Sequence, residues 1–124
     1  MPKVEVSHGE IVDKFTILKI KSEYLKNQKQ QINVQKEIGE LETFVQRIFA
    51  NSKVKILSDE LYKTNLIIWN LMEALESNHA NPAKYVSICY DVISENRKRS
   101  FLKKEIDVTL GSNFHEEKSY FDKD

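Results

Sequence analysis

The chain has little that breaks or staples a backbone. Three glycines and two prolines in 124 residues enforce few turns, so its elements should be long. A single cysteine, Cys89, excludes an intramolecular disulfide and a zinc site made of cysteines alone. There is no excess of one charge: 19 basic side chains face 19 acidic ones. That balance argues against a dedicated nucleic-acid or membrane-surface protein and makes self-association easier. No apolar run approaches the ~18 residues that cross a bilayer. The start, Met1-Pro2-Lys3-Val4-Glu5, is not a basic-then-apolar leader, so the expected setting is cytoplasmic. Gly-rich phosphate loops, nucleophile elbows and metal-ligand spacings are all missing, and His8, His79 and His115 lie far apart. No cofactor and no metal are expected.

What the chain does have is helical periodicity. Val4 and Val6 alternate with charge, as in a short extended entry. Ser7-His8-Gly9-Glu10 reads as a capping box, and Val6 and Ile11 occupy the positions of a hydrophobic staple. A first helix is predicted over 8–27, ended by an Asn/Gln-rich stretch. A second, over 32–50, carries the seam Val34, Ile38, Leu41, Val45 and Ile48 with nothing polar in it. A third, over 53–77, carries Val54, Leu57, Leu61, Ile68, Met72 and Leu75, with Asn65 inside the list and Trp69 beside it. Asn81 and Pro82 cap a fourth over 82–110, which stops at Gly111. The predicted fold is a single all-α domain, a four-helix bundle with a short extended N-terminus and a C-terminal tail packed back.

Polar residues interrupt the apolar stripes. On a helical wheel Glu10, Lys14 and Lys21 share one sector, flanked by Ile11, Phe15 and Leu18 on one side and Ile17 and Ile20 on the other, with Asp13 beside Ile20. Thr16, Lys19 and Glu23 then fall on the solvent side. On the fourth helix Tyr85, Val86, Cys89, Val92 and Ile93 define an inward face that continues into Asn96, Ser100, Lys103 and Asp107, with Arg97 at its margin. Leu102, Ile106 and Leu110 form a stripe rotated away from it. Polar groups turned inward must find partners, because burial without them is costly. Three readings fit: a structural polar network, a ligand or catalytic site, or a partner-binding face. Arg97-Lys98-Arg99 with Lys103-Lys104 is the basic cluster, a phosphate contact or a solvated face balanced by Glu95 and Glu105.

The segments Glu5-Val6-Ser7-His8-Gly9-Glu10-Ile11-Val12-Asp13-Lys14, Thr16-Ile17-Leu18, Lys21, Asn96-Arg97, Lys103, Gly111-Ser112 and Glu116-Glu117-Lys118-Ser119-Tyr120 together form a pattern. The pattern resembles an uncharacterised family of small bacterial and phage proteins, a domain of unknown function. That family's Asn-x-Arg step is not met by the adjacent Asn96 and Arg97. The resemblance implies that the polar residues are a family motif, and it supplies no reaction. A fold-level similarity to the all-helical chorismate mutases rests on inward cations in the first helix; their second-helix pattern is missing here.

The sequence therefore predicts a helical binding or interaction protein whose Lys14, Lys21, Arg97 and Lys103 hold a small anionic group. The alternative is a small enzyme acting on a phosphorylated or carboxylated metabolite, with Glu10 or Asp13 as acid or base. Asn65 and Asn96 complete the candidate site, with Glu116, Glu117 and Tyr120 as its tail contribution. Ile67, Leu71, Leu102 and Ile106 are apolar residues outside the main stripes, and they predict a homodimer.

Overall fold

Each helix begins where a side-chain oxygen accepts a backbone amide. Ser7, Asn27, Asn51 and Asn81 do this for α1 (His8–Tyr24), α2 (Gln28–Ile48), α3 (Ser52–Ser77) and α4 (Pro82–Leu110). The computed structural model describes residues 4–111, and the tail motif Glu116-Glu117-Lys118-Ser119-Tyr120 lies outside them. Pro82 opens α4 where its missing N–H costs nothing. Gly111 closes α4 in the left-handed region, at φ 66°.

The first connection differs from the sequence expectation. α1 stops at Tyr24, and α2 starts at Gln28 rather than near residue 32. Asn27 is the reason: its side chain accepts from the Gln30 amide, and the glutamines after it are good helix formers. Gln31 then turns its side-chain amide back on α1, donating from Nε2 to the carbonyls of Lys21, Ser22 and Leu25. The start of α2 thereby satisfies the orphan carbonyls at the end of α1.

α3 and α4 form the most extensive pairing, α1 packs on all of the other helices, and α2 packs mainly on α1. Val12, Val54, Leu61, Leu102 and Ile106 make the buried core, with Ile48, Phe49, Leu57 and Leu110 against it. Full burial of each such side chain is worth roughly 1.5–3 kcal/mol. Leu102 and Ile106 are thus interior residues of one chain and are not available to a dimer, contrary to the sequence expectation.

α1 has three neighbours, and this overturns part of its wheel reading, although Lys19 and Glu23 are exposed as expected. Gly9, Val12, Asp13, Phe15, Thr16, Leu18 and Ile20 are buried. At 100° per residue they cover an arc of roughly 220°. Thr16, expected at the solvent, is interior. The sector of Glu10, Lys14 and Lys21 is the side of α1 that faces out. A helix buried on most of its circumference has no single apolar stripe from which to find its centre.

α3 and α4 have 26 and 29 residues against 17 in α1. Their hairpin is therefore longer than α1 by roughly 13–18 Å. Along its length Ile67, Met72, Tyr85, Val86, Tyr90 and Ile93 are exposed, Tyr90 to 70%. The expected inward face of early α4 is thus largely outward. Ile88 is the buried residue there.

Candidate functional site

Asp13 is the centre of the polar network. Its side chain is buried, yet it is met from two other helices. Arg99 of α4 donates from Nε to Oδ1 at 2.9 Å and from Nη2 to Oδ2 at 2.6 Å. Asn65 of α3 donates from Nδ2 to Oδ1 at 2.9 Å and also to Thr16 Oγ1 at 2.8 Å. Thr16 in turn donates to the Asp13 carbonyl at 2.8 Å. A side-on guanidinium matches both carboxylate oxygens at once, which favours Arg over Lys at this position. The Asp13 hydrogen bond raises the Arg99 pKa, outweighing the opposing effect of burial.

A second pair closes the outer edge. Lys103 Nζ lies 2.9 Å from Glu10 Oε2 and 4.0 Å from Asp13 Oδ2. Glu10 therefore reaches across to α4, whereas its amide is the one capped by Ser7. One turn away, the Gly9 amide donates to Asp107 Oδ1 at 2.7 Å, in a buried contact. α1, α3 and α4 share these contacts, and α2 contributes none of them.

Beside Asn65 and Arg99 opens a cleft of about 430 Å³. Ile17 and Ile20 of α1 and Ile68, Trp69 and Met72 of α3 wall it. Glu73 and Glu76 stand at its other end. Tyr24 extends the aromatic wall, its ring centroid 6.2 Å from that of Trp69. On the other side of Ile17 the outward face of α1 carries a second groove of about 420 Å³, lined by Glu10, Asp13, Lys14, Lys21 and Glu37 beside Ile11.

The sequence candidates therefore divide. Asp13, Asn65, Lys103 and Glu10 come together. Lys14 is exposed and Lys21 half-buried; they line the outward groove that Glu10 and Asp13 also border, without an ion pair to either. Arg97 and Ser100 are exposed and stand apart from the network, and Asn96 is exposed but accepts from Arg99 Nη1 at 3.4 Å. Glu116, Glu117 and Tyr120 lie outside the described residues. The residue missed by the sequence reading is Arg99. Its signal was its spacing, three residues after Asn96 and four before Lys103, which puts it on their face. Reading it as one charge of a basic cluster hid that.

Chemically the network is closed. Both Asp13 oxygens accept charge-assisted hydrogen bonds, so the carboxylate is occupied as an acceptor. Among the described residues no group of three or more His, Cys, Asp or Glu side chains is placed to hold a metal ion. No described helix is long and apolar enough to cross a membrane.

Residues 2–123 match a family of unknown function, DUF6165. The chain belongs to that family. No curated protein and no solved structure matches it. For a DUF6165 protein the family thus leaves the function open, and the cleft and its surroundings are the ground for a functional reading.

Proposed function

We propose that this DUF6165 protein is a cytoplasmic interaction protein that receives an amphipathic partner segment in the cleft between α1 and α3. The observation that carries the reading is the cleft itself: apolar walls, a tryptophan, and an end held rigid by the Asp13–Arg99–Asn65 network. Met72 in the cleft wall is itself exposed, so the apolar lining is open to a partner. Contiguous exposed apolar surface of this kind marks interaction sites. The network's role is to fix the three helices that shape the cleft.

The anionic-ligand expectation has less support. Arg99 and Lys103 are already engaged by Asp13 and Glu10. A catalytic role for Asp13 has less support for the same reason: its oxygens are committed to donors. A second reading, a homodimer, draws support from exposed Tyr90 and Ile93 on α4. Light scattering that returns the monomer mass at high concentration would refute it.

Trp69 is the sole tryptophan, so its emission reports on the cleft. Titration with a peptide whose apolar residues follow helical spacing should shift that emission to the blue. A scrambled peptide of the same composition should not. Equal responses to the two, or no response to either, would reject the reading.

A further inference from the structure

The two ends of the cleft are electrically different. At one end the Arg99 cation is matched by Asp13. At the other, Glu73 and Glu76 border the apolar wall with Trp69 and Met72. Neither of these carboxylates forms an ion pair among the described residues. They are exposed, one turn apart, on the same side of α3 as Trp69 and Met72. The cleft thus joins a neutralised polar end, an apolar middle and an unbalanced acidic end.

Its length is set by α3. Glu76 lies eleven positions after Asn65, or roughly 16 Å along the helix axis. That is the reach of about three turns of a second helix laid in the groove, enough for anchors at i, i+3 or i+4, and i+7. A single apolar side chain would leave most of the wall uncovered. An acidic segment would meet Glu73 and Glu76 as like charges.

We infer that the occupant is a basic amphipathic helix of a partner protein. Its apolar stripe would cover Ile17, Ile68, Trp69 and Met72. Its Lys or Arg residues would sit at Glu73 and Glu76. The inference rests on the proposed interaction role of this cleft and adds the charge and shape of the partner.

The test is a charge exchange. Two synthetic helical peptides share one leucine stripe, and one carries Lys where the other carries Glu at the end meant for Glu73 and Glu76. Binding is read from Trp69 emission and by calorimetry at low salt. The Lys peptide should bind at least about tenfold tighter, a difference of ~1.4 kcal/mol. The double variant Glu73→Lys/Glu76→Lys alters only exposed positions and should reverse the preference, while added salt should shrink it. Equal binding of both peptides to the unaltered protein, with no reversal in the variant, would overturn the charge inference and leave apolar docking standing. Binding by neither peptide would overturn the interaction reading itself.

Discussion

Gly9 and Lys103 touch through their backbones. A Cβ built at Gly9 would lie 2.3 Å from the Lys103 carbonyl oxygen and 3.1 Å from Asp107 Oδ1. Glycine is needed here for closeness, since its absent side chain lets the first turn of α1 reach α4. Its amide then donates to Asp107.

Gly9→Ala should therefore be a strongly destabilising change for one added methyl. The obstacle is a helix backbone, which cannot swing aside. We expect a loss of about 3 kcal/mol, the upper part of the overpacking range. Asp107→Ala should cost ~1.5–3 kcal/mol by leaving the buried amide without its charged acceptor. Urea denaturation measures both. A Gly9→Ala protein of unchanged midpoint would disprove the close approach.

Asp13 and Arg99 should behave as a coupled pair. Asp13→Ala leaves Arg99 without its main acceptor and Asn65 with one fewer, a change in the class that costs about 3–5 kcal/mol. Arg99 keeps 28% of its side chain exposed, so water relieves part of that loss. The double variant Asp13→Ala/Arg99→Ala should lose less than the sum of the single changes, with a coupling of ~1–3 kcal/mol. Strict additivity in a double-mutant cycle would contradict the bidentate pair.

Lys14 and Lys21 should be the quiet cations. Both border the outward groove, and neither forms an ion pair among the described residues. Replacing either with Gln should change stability by less than ~0.5 kcal/mol, as for ordinary surface sites. Lys103→Gln should cost more, because it removes the partner of Glu10. A Lys14→Gln loss as large as that of Lys103→Gln would reverse this assignment.

Tyr62 should titrate late. Its hydroxyl donates to Glu23, and this hydrogen bond more than burial pushes its pKa up to about 12 from 10.0. The folded value lies above the unfolded one. The contact's contribution is thus fully present below pH 10.0 and is lost as pH rises through about 12. Tyrosinate absorbance followed against pH should show a component at about 12 that is lost in Tyr62→Phe, and Glu23→Gln should bring it forward. Titration of Tyr62 at the ordinary value of 10.0 would refute the contact.

Caps and long apolar seams were legible in the sequence because they are local. Ser7, Asn81, Pro82 and Gly111 each act within one turn of the chain, and the α2 seam from Val34 to Val45 faces one neighbour. Asn27 escaped notice because a glutamine-rich run looks like a linker until something caps it. Asp13 was legible as a polar residue beside Ile20, but its partner was not. Arg99 is 86 residues away, and a wheel does not encode which helix lies opposite. The centre of the α1 wheel was misplaced for the same reason: with α2, α3 and α4 all against it, its buried residues spread over more than half of the wheel. Lys14 and Lys21 then took the place that belongs to Val12 and Thr16.

The one-sided docking of α2 divides the molecule into tiers of protection. Helix α2 leans mainly on α1, whereas α1, α3 and α4 are tied to one another by the core and by Asp13. Detaching α2 would break the Gln31 contacts and the Val34 and Val45 packing while leaving that network whole. Deuterium should therefore enter the α2 amides through a partial opening of lower free energy than global unfolding. Those of α3 around Leu61 and of α4 around Ile106 should exchange only when the whole chain unfolds. Equal protection across all of these helices would mean that the domain opens as a single unit.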